Sequence, residues 1–121
     1  MATFYKLLRV KESILWSVFS DEIGLEYVPG VRVSSDIGPL FIFREARFAS
    51  KWEHVMHRDR QLWECTATNV RSPPLRIPSC PFDRREVQAF WLSTFPAHVQ
   101  LIRPPFGTLI ADTVTLTQQI H

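Results

Sequence analysis

The chain has 121 residues, 45% hydrophobic and 21% charged, the size and balance of a single domain, residues 1–121, with a core of its own. Nine Phe, four Trp and two Tyr exclude a disordered polar chain, and no apolar run approaches the roughly 20 residues of a membrane-crossing helix. Lys6, Arg9 and Lys11 break up the only apolar N-terminal segment, so no signal peptide is expected and the expected compartment is the cytoplasm.

The net charge of +2 is unevenly spread. Residues 44–85 hold nine basic and five acidic side chains, whereas the segments on either side are each net negative by one. Eleven of the fourteen basic residues are Arg, the type suited to bidentate contact with phosphate or carboxylate. A local excess of four is too small to imply general nucleic-acid binding.

In chain order, Phe4 to Val10 is aromatic and branched, as a strand should be. Lys11 to Ser13 is a tight connection to a second strand, Ile14 to Phe19, and the two predict an N-terminal hairpin. Leu25 to Val28 is a short strand stopped by the turn pair Pro29-Gly30. Val31 to Gly38 reads as a loop with one brief extended piece. Leu40 to Phe43 is apolar at every position, which predicts a strand covered on both faces.

Residues 44–60 carry helical spacing. At about 100° per residue Phe48, Ala49, Trp52, Val55 and Met56 share one side and should face the sheet. Arg44, Arg47, Lys51, His54 and Arg58 form a stripe beside them. Leu62 to Asn69 then alternates as a half-buried strand, with Trp63, Cys65 and Ala67 on one face and Glu64, Thr66 and Thr68 on the other. Four prolines in residues 72–81 predict an extended loop. Asp83 and Glu86 are placed as a capping box for a second helix through Trp91, which Pro96 stops. His98 to Arg103 is extended again, and Thr108 to about Gln118 is a last long strand. The expected fold is α+β, an antiparallel-rich sheet of about six strands packed with two helices.

Few residues form a constellation that chemistry would need. His54 and His57 could share one ion on a helix, but no third ligand stands at a recognisable spacing. Cys65 and Cys80 read as free thiols. No Ser lies in a Gly-x-Ser-x-Gly elbow, and the four glycines are too dispersed for a phosphate loop. The sharpest positive feature is the cationic stripe, which could meet a phosphate, a nucleotide or an acidic protein surface. The competing expectation is that Arg and Lys stems merely cover the flank of the apolar face. The prolines near Arg71, Arg76, Arg84 and Arg85 offer a second surface, for a ligand or for a second copy of the chain.

The segments Gly38 to Phe43, Ala46, Phe48-Ala49, Leu62 to Ala67 and Pro105 to Leu116, with the opening Phe4-Tyr-Lys6, resemble small uncharacterised proteins of bacteriophages and prokaryotes. That resemblance implies an inhibitor or sequestering protein directed at a host system. The succession Leu40–Phe43, Arg44–Arg58, Leu62–Asn69 is more faintly similar to the ADP-ribosyltransferase fold. That likeness implies an NAD site with Arg9 in the first place and Ser17 or Ser34 in the second. The third place has Asp112 where that family has Glu.

The sequence reading is therefore a binding module without catalysis or cofactor, acting through a protein partner or a nucleotide-like anionic ligand. Its site residues are Arg44, Arg47, Lys51, His54, Arg58 and Arg9, and a homo-oligomer stays open. The rival is an ADP-ribosyltransferase-like enzyme using NAD, for which Arg9, Ser17 and Asp112 should converge.

Overall fold

The computed structural model describes residues 2–17, 25–35, 38–53, 60–78, 101–104 and 106–120, without the side chains of residues 17, 50–53, 77–78 and 101–102. In chain order the strands are β1 (Phe4–Lys11), β2 (Ile14–Ser17), β3 (Glu26–Tyr27), β4 (Val33–Ser34) and β5 (Leu40–Phe43). After the helix α1 (Ala46–Glu53) come β6 (Arg60–Thr68), β7 (Ile77–Pro78), β8 (Leu101–Ile102), β9 (Thr108–Ala111) and β10 (Thr113–Gln119). Among the described residues every pairing is antiparallel, in one sheet of eight strands and a separate ladder of β7 with β8.

The expected α+β class with two helices is overturned, because the described residues are dominated by antiparallel sheet around one eight-residue helix. The second expected helix, Asp83 to Trp91, lies outside the described residues. Two-residue strands at β3, β4, β7 and β8 are too short to carry an alternation of their own. They exist because a neighbouring strand offers an edge.

β1 and β2 form the expected hairpin, with Lys11 opposite Ile14 across the two-residue loop Glu12-Ser13. Both loop residues have positive φ, 54° and 65°, the geometry of a type I′ turn, whose twist matches that of the flanking strands. β1 also pairs with β6 from Phe4 opposite Cys65 to Arg9 opposite Arg60. β6 in turn pairs with β10.

β9 and β10 are separated only by Asp112, so Thr108–Gln119 runs as one strand bent at that residue. Its first half pairs with β5 and its second with β6. Because β5 meets β1 where Phe43 stands opposite Tyr5, the circuit β1–β6–β10/β9–β5–β1 closes on itself. The bend is pinned by side chains. Asn69 Nδ2 donates to Asp112 Oδ2 at 2.7 Å, Arg71 Nη1 donates to Oδ1 at 3.0 Å, and the Asp112 amide donates to Thr68 O at 3.0 Å.

The closed circuit divides the core in two. Leu8, Leu15, Tyr27, Leu40, Ile42, Cys65, Ala111, Val114 and Leu116 belong to one cluster. Leu7, Phe43, Leu62, Phe48 and Ala49 belong to the other, beneath α1. Consecutive residues Leu7 and Leu8 enter different clusters, since side chains alternate across a strand. β6 behaves likewise. Trp63, Cys65 and Ala67 share one face as expected, but Leu62 is fully buried on the other. The expectation of a half-buried strand is corrected there, because α1 covers the second face. Among the described residues no helix is long and apolar enough to cross a membrane.

Candidate functional site

The described part of the cationic stripe begins where β5 ends. Phe43 is buried, Arg44 turns into solvent, and α1 starts two residues later. Phe48 and Ala49 face the sheet as the helical spacing predicts. The same strand-to-helix step therefore anchors one side of the segment and exposes Arg44 and Arg47 on the other.

Phe48 also supports a second segment. Gly107, at φ +85°, lies so close that a Cβ built on it would stand 2.1 Å from Phe48 Cδ2. Only glycine combines that backbone conformation with that approach. The Arg44 amide donates to Gly107 O at 2.9 Å, which joins the β9 approach to the start of α1. Phe106, next in the turn, is 75% exposed. Its ring meets Phe48 edge-on, with centroids 4.9 Å apart and an interplanar angle of 85°.

Two guanidiniums stand over these rings. Arg44 Cζ is 5.9 Å from the Phe48 centroid and 5.8 Å from that of Phe106, and Arg47 Cζ is 4.8 Å from Phe48. Arg47 donates through Nε and Nη2 to Glu45 Oε2 at 3.1 and 3.0 Å, so its charge is largely answered locally. Among the described residues Arg44 has no acidic partner. Among the described residues Arg44 is thus the cation of this group without an acidic partner, and Phe106 its exposed ring. Sequence reasoning missed Phe106. Its signal was the lone aromatic between Pro105 and Gly107, in a turn that leaves a large ring no sheet face to enter.

The other site residues are placed differently. Lys51 lies in α1 without a described side chain, and His54 and Arg58 lie outside the described residues. Arg9 stands opposite Arg60 on one side and Trp16 on the other. It is four residues along β1 from Tyr5, the partner of Phe43, or about 13 Å at about 3.3 Å per residue. It is therefore not part of the Arg44–Arg47 group.

Arg9, Ser17 and Asp112 do not converge. Arg9 pairs with the first residue of β6, while Asp112 is bonded to Thr68, its last. Eight steps along β6 separate them by about 26 Å. Asp112 is also held ionised by its hydrogen bonds from Asn69 and then Arg71, which lower its pKa, so it is poorly suited to take up a proton. Ser34 does lie near Asp112, opposite Thr113, but without Arg9. Among the described residues no group of three His, Cys, Asp or Glu side chains could hold a metal ion.

A polar cluster inside the fold was not anticipated. Lys6 is 1% exposed. Its Nζ donates to Phe41 O and lies 5.4 Å from the Tyr27 ring centroid. Burial lowers the amine from 10.5 to about 8, against a smaller raising effect of Cys65. Cys65 sits diagonally across from it in β6, and burial pushes its thiol up to about 12. Burial likewise raises the Tyr27 phenol, with Cys65 adding to the shift. The available signal was phase, because Phe4, Lys6, Leu8 and Val10 share a face of β1.

No family model matches the chain, and searches of curated proteins and of solved structures find no match either.

Proposed function

We propose that the chain is a non-catalytic binding module that recognises an anionic group on a ligand or partner protein through Arg44 and the rings beside it. The observation that carries this reading is the environment of Arg44. Its guanidinium is exposed, stands over two aromatic rings and has no acidic partner among the described residues. A guanidinium that only needed a counter-charge could have one cheaply, as Arg47 does in Glu45.

Rigidity supports the reading as well. Phe48 belongs to the buried cluster under α1, and Gly107 packs on it. The cation and the exposed ring are therefore held before any ligand arrives, and preorganised groups lose less entropy on binding. The bacteriophage resemblance adds a setting, a small sequestering protein acting on a host component. The separation of Arg9 from Asp112 speaks against the transferase alternative.

The test is native mass spectrometry of the protein isolated from its source, as wild type and as the Arg44→Glu/Arg47→Glu variant. A discrete bound mass on the wild type that the variant lacks is expected. Full retention by the variant refutes the role of these arginines. Release of nicotinamide from NAD by the wild type refutes the non-catalytic reading.

A further inference from the structure

Two more exposed arginines, Arg76 and Arg103, flank the ladder of β7 with β8. Ile77 stands opposite Ile102 and Pro78 opposite Leu101. Arg76 and Arg103 are the next residues beyond the paired Ile77 and Ile102, so the same register, if continued, brings them opposite one another. Both are exposed, and neither has a hydrogen bond or ion pair among the described residues. Like charges facing one another across a ladder are destabilising unless an anion lies between them. Leu75, beside Arg76, is 90% exposed.

This pair is continuous with the first group. Phe106 follows Arg103 by three residues, a reach of at most about 10 Å, and Arg44 lies 5.8 Å beyond the Phe106 centroid. The exposed ring of Phe106 thus has one guanidinium in contact with it and a second within reach of three residues of chain. Glu45, next to Arg44 in sequence, is taken up by Arg47.

From this arrangement we propose that Arg76, Arg103, Phe106 and Arg44 form a track for single-stranded nucleic acid. A base stacks on Phe106, and the phosphates on either side of it meet the guanidiniums. The inference rests on the anionic-binding reading above and names its ligand class. A single strand repeats phosphate and planar base, which matches cation, ring, cation. A duplex buries the faces of its bases and leaves nothing to stack on the ring. An acidic peptide satisfies the guanidiniums, but nothing in its repeat covers Phe106. No base edge needs to be read, so the binding tolerates any sequence and is sensitive to salt.

The experiment is fluorescence anisotropy of the full chain with three labelled probes: oligothymidylate, the same strand in a duplex, and a polyglutamate peptide. Oligothymidylate should bind tightest, with affinity falling from about 50 to about 200 mM salt. Phe106→Ala should weaken it roughly tenfold or more, and Phe106→Trp should restore it, since stacking is what the ring supplies. Arg76→Ala with Arg103→Ala should reduce the log–log salt slope by about 1.4, two phosphate contacts at about 0.7 each on a single strand. A retained cooperative unfolding transition shows that each variant is folded.

Equal binding of duplex and single strand overturns the inference, as does indifference of oligothymidylate binding to Phe106→Ala. If polyglutamate binds through Arg44 and oligothymidylate does not, the nucleic-acid inference falls while the anionic-binding reading stands. If neither polymer binds, both fall.

Discussion

Replacing Lys6 by methionine should stabilise the protein at neutral pH and abolish a pH dependence of unusual sign. In the unfolded chain the amine titrates near 10.5, and in the fold burial lowers it to about 8. Below pH 8 both states are protonated, and the folded state carries the whole penalty of a buried cation. At about 1.36 kcal/mol per unit that penalty is roughly 3 kcal/mol relative to the neutral amine. Between pH 8 and 10.5 the unfolded chain holds a proton that the fold has released, so stability rises with pH. Cys65 acts in the opposite sense. Its thiol titrates at 9.0 when unfolded and about 12 when folded, so above pH 9 the fold retains a proton that the unfolded chain has lost. Tyr27, raised from 10.0, adds a further loss above pH 10. The net rise is therefore confined to about pH 8 to 9, with a slope of at most about 1.4 kcal/mol per pH unit. A plateau to pH 10 and then a fall should follow. Methionine has similar length and no charge. It forfeits the bond to Phe41 O and the contact with Tyr27, so the net gain at pH 7 should be about 1–2 kcal/mol. Urea unfolding followed by tryptophan fluorescence at pH 7, 8, 9 and 10 measures all of this. A wild type whose stability is flat or falling from pH 8 to 9, or a methionine variant less stable at pH 7, refutes the account.

Two backbone predictions accompany it. Glu12 and Ser13 occupy the left-handed region without being glycine or asparagine, at about 1 kcal/mol each. Glu12→Asn with Ser13→Gly should therefore raise the urea midpoint by the equivalent of about 1–2 kcal/mol, and a lowered midpoint would mean that the loop is not a type I′ turn. Gly107→Ala should destabilise by about 3 kcal/mol, through strain at positive φ together with the clash on Phe48. Phe106→Ala one residue away should cost less, about 0.5–1 kcal/mol, because it loses only the edge contact with Phe48. Similar losses for the two would show that Phe106 is part of the core.

Most strands were legible in the sequence, the short Leu25 to Val28 around β3 among them. β1, β5 and β6 follow directly from their apolar patterns, and the bent strand Thr108–Gln119 was read as one element. What failed was class, because class depends on pairing. Nothing local in Glu26–Tyr27 or Val33–Ser34 announces that β2 and β10 will offer them an edge. The burial of Leu62 was equally hidden, since it depends on α1 crossing that face. In the site, Arg44 and Arg47 were found by helical spacing. Phe106 was not, because a turn has no period and its partner Phe48 is 58 residues away in sequence. The β7–β8 register, with Ile77 opposite Ile102, joins segments on either side of residues 79–100, and no sequence pattern carries such a pairing.

The exposed surface and the buried core are not independent in this fold. Phe48 is the link, as it is at once a member of the cluster under α1 and the ring on which Gly107 and Phe106 rest. Loosening that contact should release Phe106 and Arg44 together, because the Arg44 amide is bonded to the Gly107 carbonyl. A loop-borne aromatic would ordinarily have to be ordered on binding, at about 0.5–1.5 kcal/mol for each side chain immobilised. Here the core has already ordered it. A glycine that tolerates positive φ is thus a binding determinant although it offers no side chain to a ligand, and the sequence shows it only as a glycine in a turn.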